Sequence, residues 1–260
     1  MQKALIRFGA AAALAGALAA PAFAAEAKPT VVLVHGAFAD SSSWDGVTAK
    51  LEKDGYTVIG AANPLRSVKG DAAAVASVLK SVSGPVILVG HSYGGSVISA
   101  AAVGASNVKA LVYVAAFAPD SGETAVGLSG KFPGSTLGPA LAPPVPLADG
   151  GKDLYIQQAK FHDQFAADVP EAKARLMAAG QRPITDAALN EASPAPAWKT
   201  IPSWHIYGKA DKNIPAAALE FMAKRANAKK TIAVDGASHV VMTSHPAEVA
   251  KLIEEAASAK

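Results

Sequence analysis

The chain has 260 residues, of which 51% are hydrophobic and 17% charged, a formal net charge of +3, and no cysteine. A chain of this length buries one substantial core, and the missing thiols exclude disulfides, cysteine nucleophiles and cysteine-ligated metals. No lysine or arginine cluster is present to track the phosphates of nucleic acid or an anionic membrane surface.

The first elements are a leader. Lys3 and Arg7 precede an apolar, small-residue stretch over 8–20, and Ala22-Phe23-Ala24 supplies a signal-peptidase site. The apolar run falls short of the ~20 residues a membrane anchor needs, so residues 1–24 are expected to be a cleaved signal peptide and the mature chain periplasmic or secreted. Cleavage would leave 260 − 24 = 236 residues, and a charge of 3 − 2 = +1, because two cations and no acid depart. The mature protein is not expected to engage a membrane.

Strands and helices then alternate. Apolar runs at 30–35 (TVVLVH), 86–89 (VILV) and 111–115 (LVYVA) read as strands buried on both faces. Weaker strand signals lie at 56–61, 203–207 and 231–234. Helical periodicity falls at 44–53, 71–82, 96–105, 216–226 and 246–257, the last with Pro246 in its first turn. The expected fold class is therefore α/β, a mostly parallel sheet of about six strands with helices on both faces. Its ligand site belongs in the loops at the carboxyl ends of the strands. Residues 118–199 break the alternation: they hold a proline-rich segment, GPALAPPVPLADGG, and helical stretches at 153–167 and 171–179, with no convincing buried strand. This tract is expected to be an inserted helical cap. Residues 25–117 and 200–260 then form the core.

The stretch VILVGHSYGGSVISAAA carries the chemistry. Gly90-His91-Ser92-Tyr93-Gly94 fits G-x-S-x-G, with a buried strand before and a helix-forming segment after, where a strained serine projects from the sheet edge. A serine hydroxyl needs a base to take its proton. His239, in the glycine-containing loop beyond the strand at 231–234, meets that requirement better than His245, which adjoins Pro246 and the last helix. His91 is expected to pack beside the elbow, His35 to belong to the first loop, His162 to the cap surface and His205 to a strand. The base needs a carboxylate. Asp211, in HIYGKADKNIP, follows a strand and gives the chain order serine, acid, histidine; Asp120 is the alternative, and Asp235 lies too near His239 along the chain. Charge on the attacked carbonyl oxygen requires amide donors, for which Tyr93 pairs with Ala37, or else with Phe38, after the first strand. Phe38, Tyr93, Phe117 and Trp198 are expected near a substrate pocket. No metal site is expected, for the histidines show no H-E-x-x-H and His239 and His245 are spaced wrongly for one helix face.

The ordered set LVHGAF, ILVGHSYGG, LVYVAAFAPDSGE, GKADKNIP and SHVVMTSHP resembles the α/β-hydrolase superfamily, and within it the small esterases similar to plant methylesterases and hydroxynitrile lyases. The resemblance spans residues 30–257 and is strongest outside the cap. It implies an α/β-hydrolase fold with a six-stranded core, Ser92, Asp211 and His239 as catalytic triad, Ala37 and Tyr93 as oxyanion hole, and no cofactor. Lyases of that branch carry threonine where this chain has Gly36 and lysine where it has Val240, and cofactor-free haloperoxidase-like relatives carry tryptophan near the nucleophile, where this chain has Tyr93. These departures point to an esterase acting on a small, fairly apolar ester. Lyase or perhydrolase chemistry, and a binding protein retaining the hydrolase shell, are the alternatives.

Overall fold

The computed structural model describes residues 28–259. The expected signal peptide lies outside the described residues. Nine strands follow in chain order: β1 (Thr30–Val34), β2 (Val58–Ala61), β3 (Val86–His91), β4 (Val108–Val114), β5 (Val145–Pro146), β6 (Lys152–Leu154), β7 (Ile184–Thr185), β8 (Ser203–Gly208) and β9 (Lys230–Val234). Six of them form one parallel sheet in the order β2-β1-β3-β4-β8-β9. The central strands carry the uninterrupted apolar runs, as strands covered on both faces must. Val31 to Val34 and Leu88 to Val89 are entirely buried. Helices Asp45–Lys53 and Pro246–Ser258 pack together on one face and Val68–Ser81 and Gly94–Ala101 on the other. The helix expected from 71 begins at Val68, because the Ser67 side chain accepts the Gly70 amide and caps it earlier.

The tract 118–199 is more than helical. It contains a small antiparallel sheet, β5-β6-β7, absent from the sequence expectation. The helix expected over 153–167 is confined to Gln158–Phe165, because Asp153 and Leu154 pair with Thr185 and Ile184 in β7. Strands of two and three residues are too short to display an alternating pattern, and this pairing spans some thirty residues of sequence. Pro146 sits on β5, an edge of this sheet, where a residue without an amide proton is tolerated. The helix Glu171–Gly180 falls where periodicity placed it. Phe161 and Phe165 carry the cap's packing onto the core and are fully buried.

One pairing inside the sheet has a consequence for stability. His205 on β8 lies opposite Tyr113 on β4, the rings stacked 4.6 Å apart. Burial without a partner for its Nε2 pushes the His205 pKa down to about 3 from an ordinary 6.5. The unfolded chain therefore binds a proton that the folded chain refuses across that window. This contribution to stability is complete above pH 6.5 and falls away as the pH drops toward 3. Urea unfolding should show His205→Phe losing less stability than the wild type between pH 8 and pH 5, by about 2 kcal/mol.

Candidate active site

At the end of β3 the chain must turn from strand to helix between His91 and Gly94. Ser92 absorbs the turn in the left-handed region, at φ 52°. Its amide donates to the Val114 carbonyl on β4 at 3.3 Å, and its carbonyl accepts from the Gly95 and Phe117 amides at 2.9 and 3.1 Å. The surrounding backbones leave no room for side chains. A Cβ at Gly94 would stand 2.6 Å from the Val34 carbonyl oxygen, and one at Gly95 would stand 2.2 Å from that of Phe117. These glycines let β1, β3 and the loop after β4 meet around one serine.

His239 arrives from the loop after β9 and Asp211 from the loop after β8. Nδ1 of His239 donates to Asp211 Oδ2 at 2.6 Å, with the side chains 1% and 0% exposed. Asp211 Oδ1 accepts the amides of Asn213 and Ile214 at 2.8 and 3.0 Å, so the carboxylate is fully committed. That pairing places the proton on Nδ1 and leaves Nε2 as the basic nitrogen. Ser92 and His239 line the same cavity. Among the described residues the Ser92 hydroxyl makes no hydrogen bond to the ring, an arrangement common before substrate binds.

The other candidates go elsewhere. Asp120 pairs with Lys199 at 2.5 Å and Asp235 with Lys209 at 2.7 Å, both pairs at the surface. His245 stands 3.5 Å from both Asp168 and Glu248. His91 is fully buried and donates through Nε2 to the His239 carbonyl at 3.2 Å; burial holds its pKa well below the ordinary value. His35 donates from Nδ1 to the Gly36 carbonyl at 2.9 Å and accepts the Asn63 amide on Nε2. His162 donates to the Val169 carbonyl within the cap. Among the described residues no three ligand-type side chains gather as a metal site would require.

The amide donors separate on one contact. Phe38 donates its amide to the Arg182 carbonyl of the cap at 2.9 Å and has none to spare. The amides of Ala37 and Tyr93 have no protein acceptor among the described residues, and both residues line the cavity.

The cavity has a volume of about 340 Å³ and a predominantly apolar wall. Phe38 and Phe117 line it. Trp198 does not: its indole donates to the Pro119 carbonyl at 2.9 Å, so the expectation for this residue is corrected. Leu137, Leu141 and Leu154 of the cap complete the wall, together with Asn213. Sequence reasoning missed them because leucines in a cap pattern as core, and Asn213 had only its closeness to Asp211 to mark it. Phe165 packs edge-to-face with His239, 5.1 Å between centroids, so a side chain of the tract 118–199 covers this imidazole.

Comparison with known proteins agrees with this architecture. The family model described as "Alpha/beta hydrolase family" matches residues 31–252. The alpha/beta hydrolase nvfD of Aspergillus novofumigatus is 26% identical over 250 residues, 88% of this chain and 97% of that protein. The alpha-hydroxynitrile lyase of Arabidopsis thaliana is 26% identical over 243 residues, 85% of this chain and 94% of that protein. The crystal structure of polyneuridine aldehyde esterase superposes with a TM-score of 0.74 at 19% identity, covering 88% of this chain and 98% of that one.

The short, enclosed bond between His239 and Asp211 should shift its proton far downfield. One-dimensional proton NMR should show a resonance well beyond the amide region that disappears in Asp211→Ala and in His239→Gln, with the remaining spectrum folded.

Proposed function

The chain belongs to the alpha/beta hydrolase family, and we propose that it is a serine esterase that cleaves a small, fairly apolar carboxylic ester through an acyl-enzyme on Ser92. The observation that carries this reading is the buried 2.6 Å bond from His239 to Asp211 beside the cavity that Ser92 lines. In the proposed reaction Ser92 Oγ attacks the ester carbonyl while His239 Nε2 takes its proton. Asp211 holds the tautomer and stabilises the imidazolium. The Ala37 and Tyr93 amides receive the developing oxyanion, a contribution of order 10² to 10³ in rate for a single donor in such holes. His239 returns the proton to the departing alcohol, and a water activated by the same nitrogen hydrolyses the acyl-enzyme. Residues 118–199 act in this reading as the cap that encloses the substrate, and residues 1–24 as the export signal.

Two features favour a neutral ester. Among the described residues no charged side chain lines the cavity. The polar groups that do face it, such as Ser129, Ser135 and Asn213, can orient a substrate without demanding a charge.

Hydroxynitrile lyase chemistry is the second reading, motivated by the Arabidopsis relative. The threonine that resemblance associates with lyases would fall at Gly36. A Cβ there would lie 2.6 Å from Ser92 Cβ and 2.8 Å from the His91 carbonyl, so the elbow would have to move. The lyase lysine would fall at Val240, which is completely buried. Both positions favour the esterase.

Purified protein should hydrolyse short-chain chromogenic esters, and a fluorophosphonate should label Ser92 alone, as located by peptide mass spectrometry. Ser92→Ala should lose at least about 10⁴-fold in kcat, and Asp211→Asn about 10⁴-fold. Equal turnover by wild type and Ser92→Ala would overturn the proposal, and cyanohydrin cleavage without ester hydrolysis would transfer it to the lyase reading.

A further inference from the structure

Asp71 is a carboxylate with no solvent exposure in the first turn of the helix Val68–Ser81, away from the serine, histidine and acid just described. Among the described residues no cationic side chain touches it. Oδ2 accepts the Tyr93 phenol at 2.9 Å, and both oxygens accept the Arg66 amide at 3.2 Å. The Arg66 guanidinium points away, to Asp153 of β6 at 2.6 Å and the Pro183 carbonyl at 2.9 Å. Burying a carboxylate with so few partners is costly, and an apolar side chain of similar size would commonly serve the fold better. The cost falls on the residue that follows the nucleophile.

Tyr93 carries one of the two uncommitted amides at the elbow. Its phenol is anchored on Asp71 at one end, and its Cα opens the helix Gly94–Ala101 at the other. With a staggered side chain held at both ends, the direction of the Tyr93 amide has little freedom. The segment 182–185 of the cap binds beside one donor and behind the other. The Arg182 carbonyl takes the amide of Phe38, next to Ala37. Thr185 donates its amide to the Leu65 carbonyl at 3.1 Å and its hydroxyl to the Arg66 carbonyl at 2.8 Å, holding the loop whose amide binds Asp71.

We propose that Asp71 is a positioning residue which fixes the oxyanion-binding amide of Tyr93 through the phenol, and that cap segment 182–185 seats both oxyanion donors at once. The proposal rests on the esterase reading. It makes cap seating and transition-state stabilisation one mechanical event: a cap out of place loosens the Phe38 and Arg66 anchors together. The exposed Arg66–Asp153 pair contributes little by itself, because Arg66 is 41% exposed and solvent screens it. The enclosed phenol–carboxylate bond is the rigid link.

The test compares wild type with Tyr93→Phe, Asp71→Ala, Asp71→Asn and Thr185→Val, each normalised by fluorophosphonate titration so that only folded sites count. Tyr93→Phe and Asp71→Ala should lower kcat for a short-chain ester by about 10- to 100-fold, with KM changing by less than about 3-fold. They should weaken an alkyl trifluoromethyl ketone, which forms a tetrahedral adduct, by the same factor as kcat. The double variant should be no worse than either single one. Asp71→Asn keeps an acceptor for the phenol and should recover most of the loss, and Thr185→Val should show a smaller fall with the same pattern. If Tyr93→Phe does not fold, Asp71→Ala against Asp71→Asn, together with Thr185→Val, carries the comparison. Wild-type kcat per titrated site in Tyr93→Phe, Asp71→Ala and Thr185→Val, or a loss confined to KM, would overturn this inference while leaving the esterase intact. A wild type that neither hydrolyses esters nor takes the label would overturn both.

Discussion

Three backbones converge on Ser92 more closely than any side chain would permit, and the geometry of the candidate site follows from that crowding. The loop after β1, the elbow after β3 and the loop after β4 pass within van der Waals reach because Gly36, Gly94 and Gly95 lack a Cβ. The serine takes a left-handed conformation that an L residue pays to adopt. The Val114 carbonyl, which accepts its amide, and the Gly95 and Phe117 amides, which donate to its carbonyl, hold it there. In exchange, the Ser92 hydroxyl and two free amides are delivered to one spot without a flexible segment between them. The same economy recurs at Gly208, where a Cβ would stand 2.1 Å from the Ala237 carbonyl, bringing the end of β8 against the loop that carries His239.

Around this rigid edge the polar groups are few and nearly all committed. Asp211 spends one oxygen on two amides and the other on His239. His91 stays neutral and holds the His239 main chain from below. The cap then reaches the same groups from above: Phe165 packs on the imidazole, and Gln164 donates to Asn213 and to the Lys212 carbonyl in the acid's own loop. Ser238, the neighbour of His239, donates to Asp168 of the cap. Cap and core thus share hydrogen bonds at the loops after β1, β8 and β9, where contact through apolar side chains alone would leave those loops free to adjust.

The core sheet was readable because its strands are buried on both faces, so an apolar run is itself the signal. Val86 to Val89 could be placed on the residues alone, and Gly90 to Gly94 announced the turn that follows. The cap resisted. Leu154 sits in a three-residue strand whose partner, Ile184, is thirty residues away, and no local pattern encodes that pairing. Trp198 was drawn toward the pocket by its aromatic character, whereas its indole proton is spent on the Pro119 carbonyl.

Taken alone, the amino-acid order determined the fold class, the position of the elbow and a short roster of acids and histidines that could serve it, since strand burial and turn chemistry are local properties. It placed Ala37 only narrowly ahead of Phe38 and gave Asp71 no role. Tertiary structure decided those matters: whether an amide is free depends on which carbonyl of a distant segment comes to meet it, and Arg182 meets Phe38 only after the cap has folded over. Likewise the bond from Tyr93 to Asp71 joins residues 22 apart that share no pattern in the chain and become neighbours only when two helices pack on one face of the sheet.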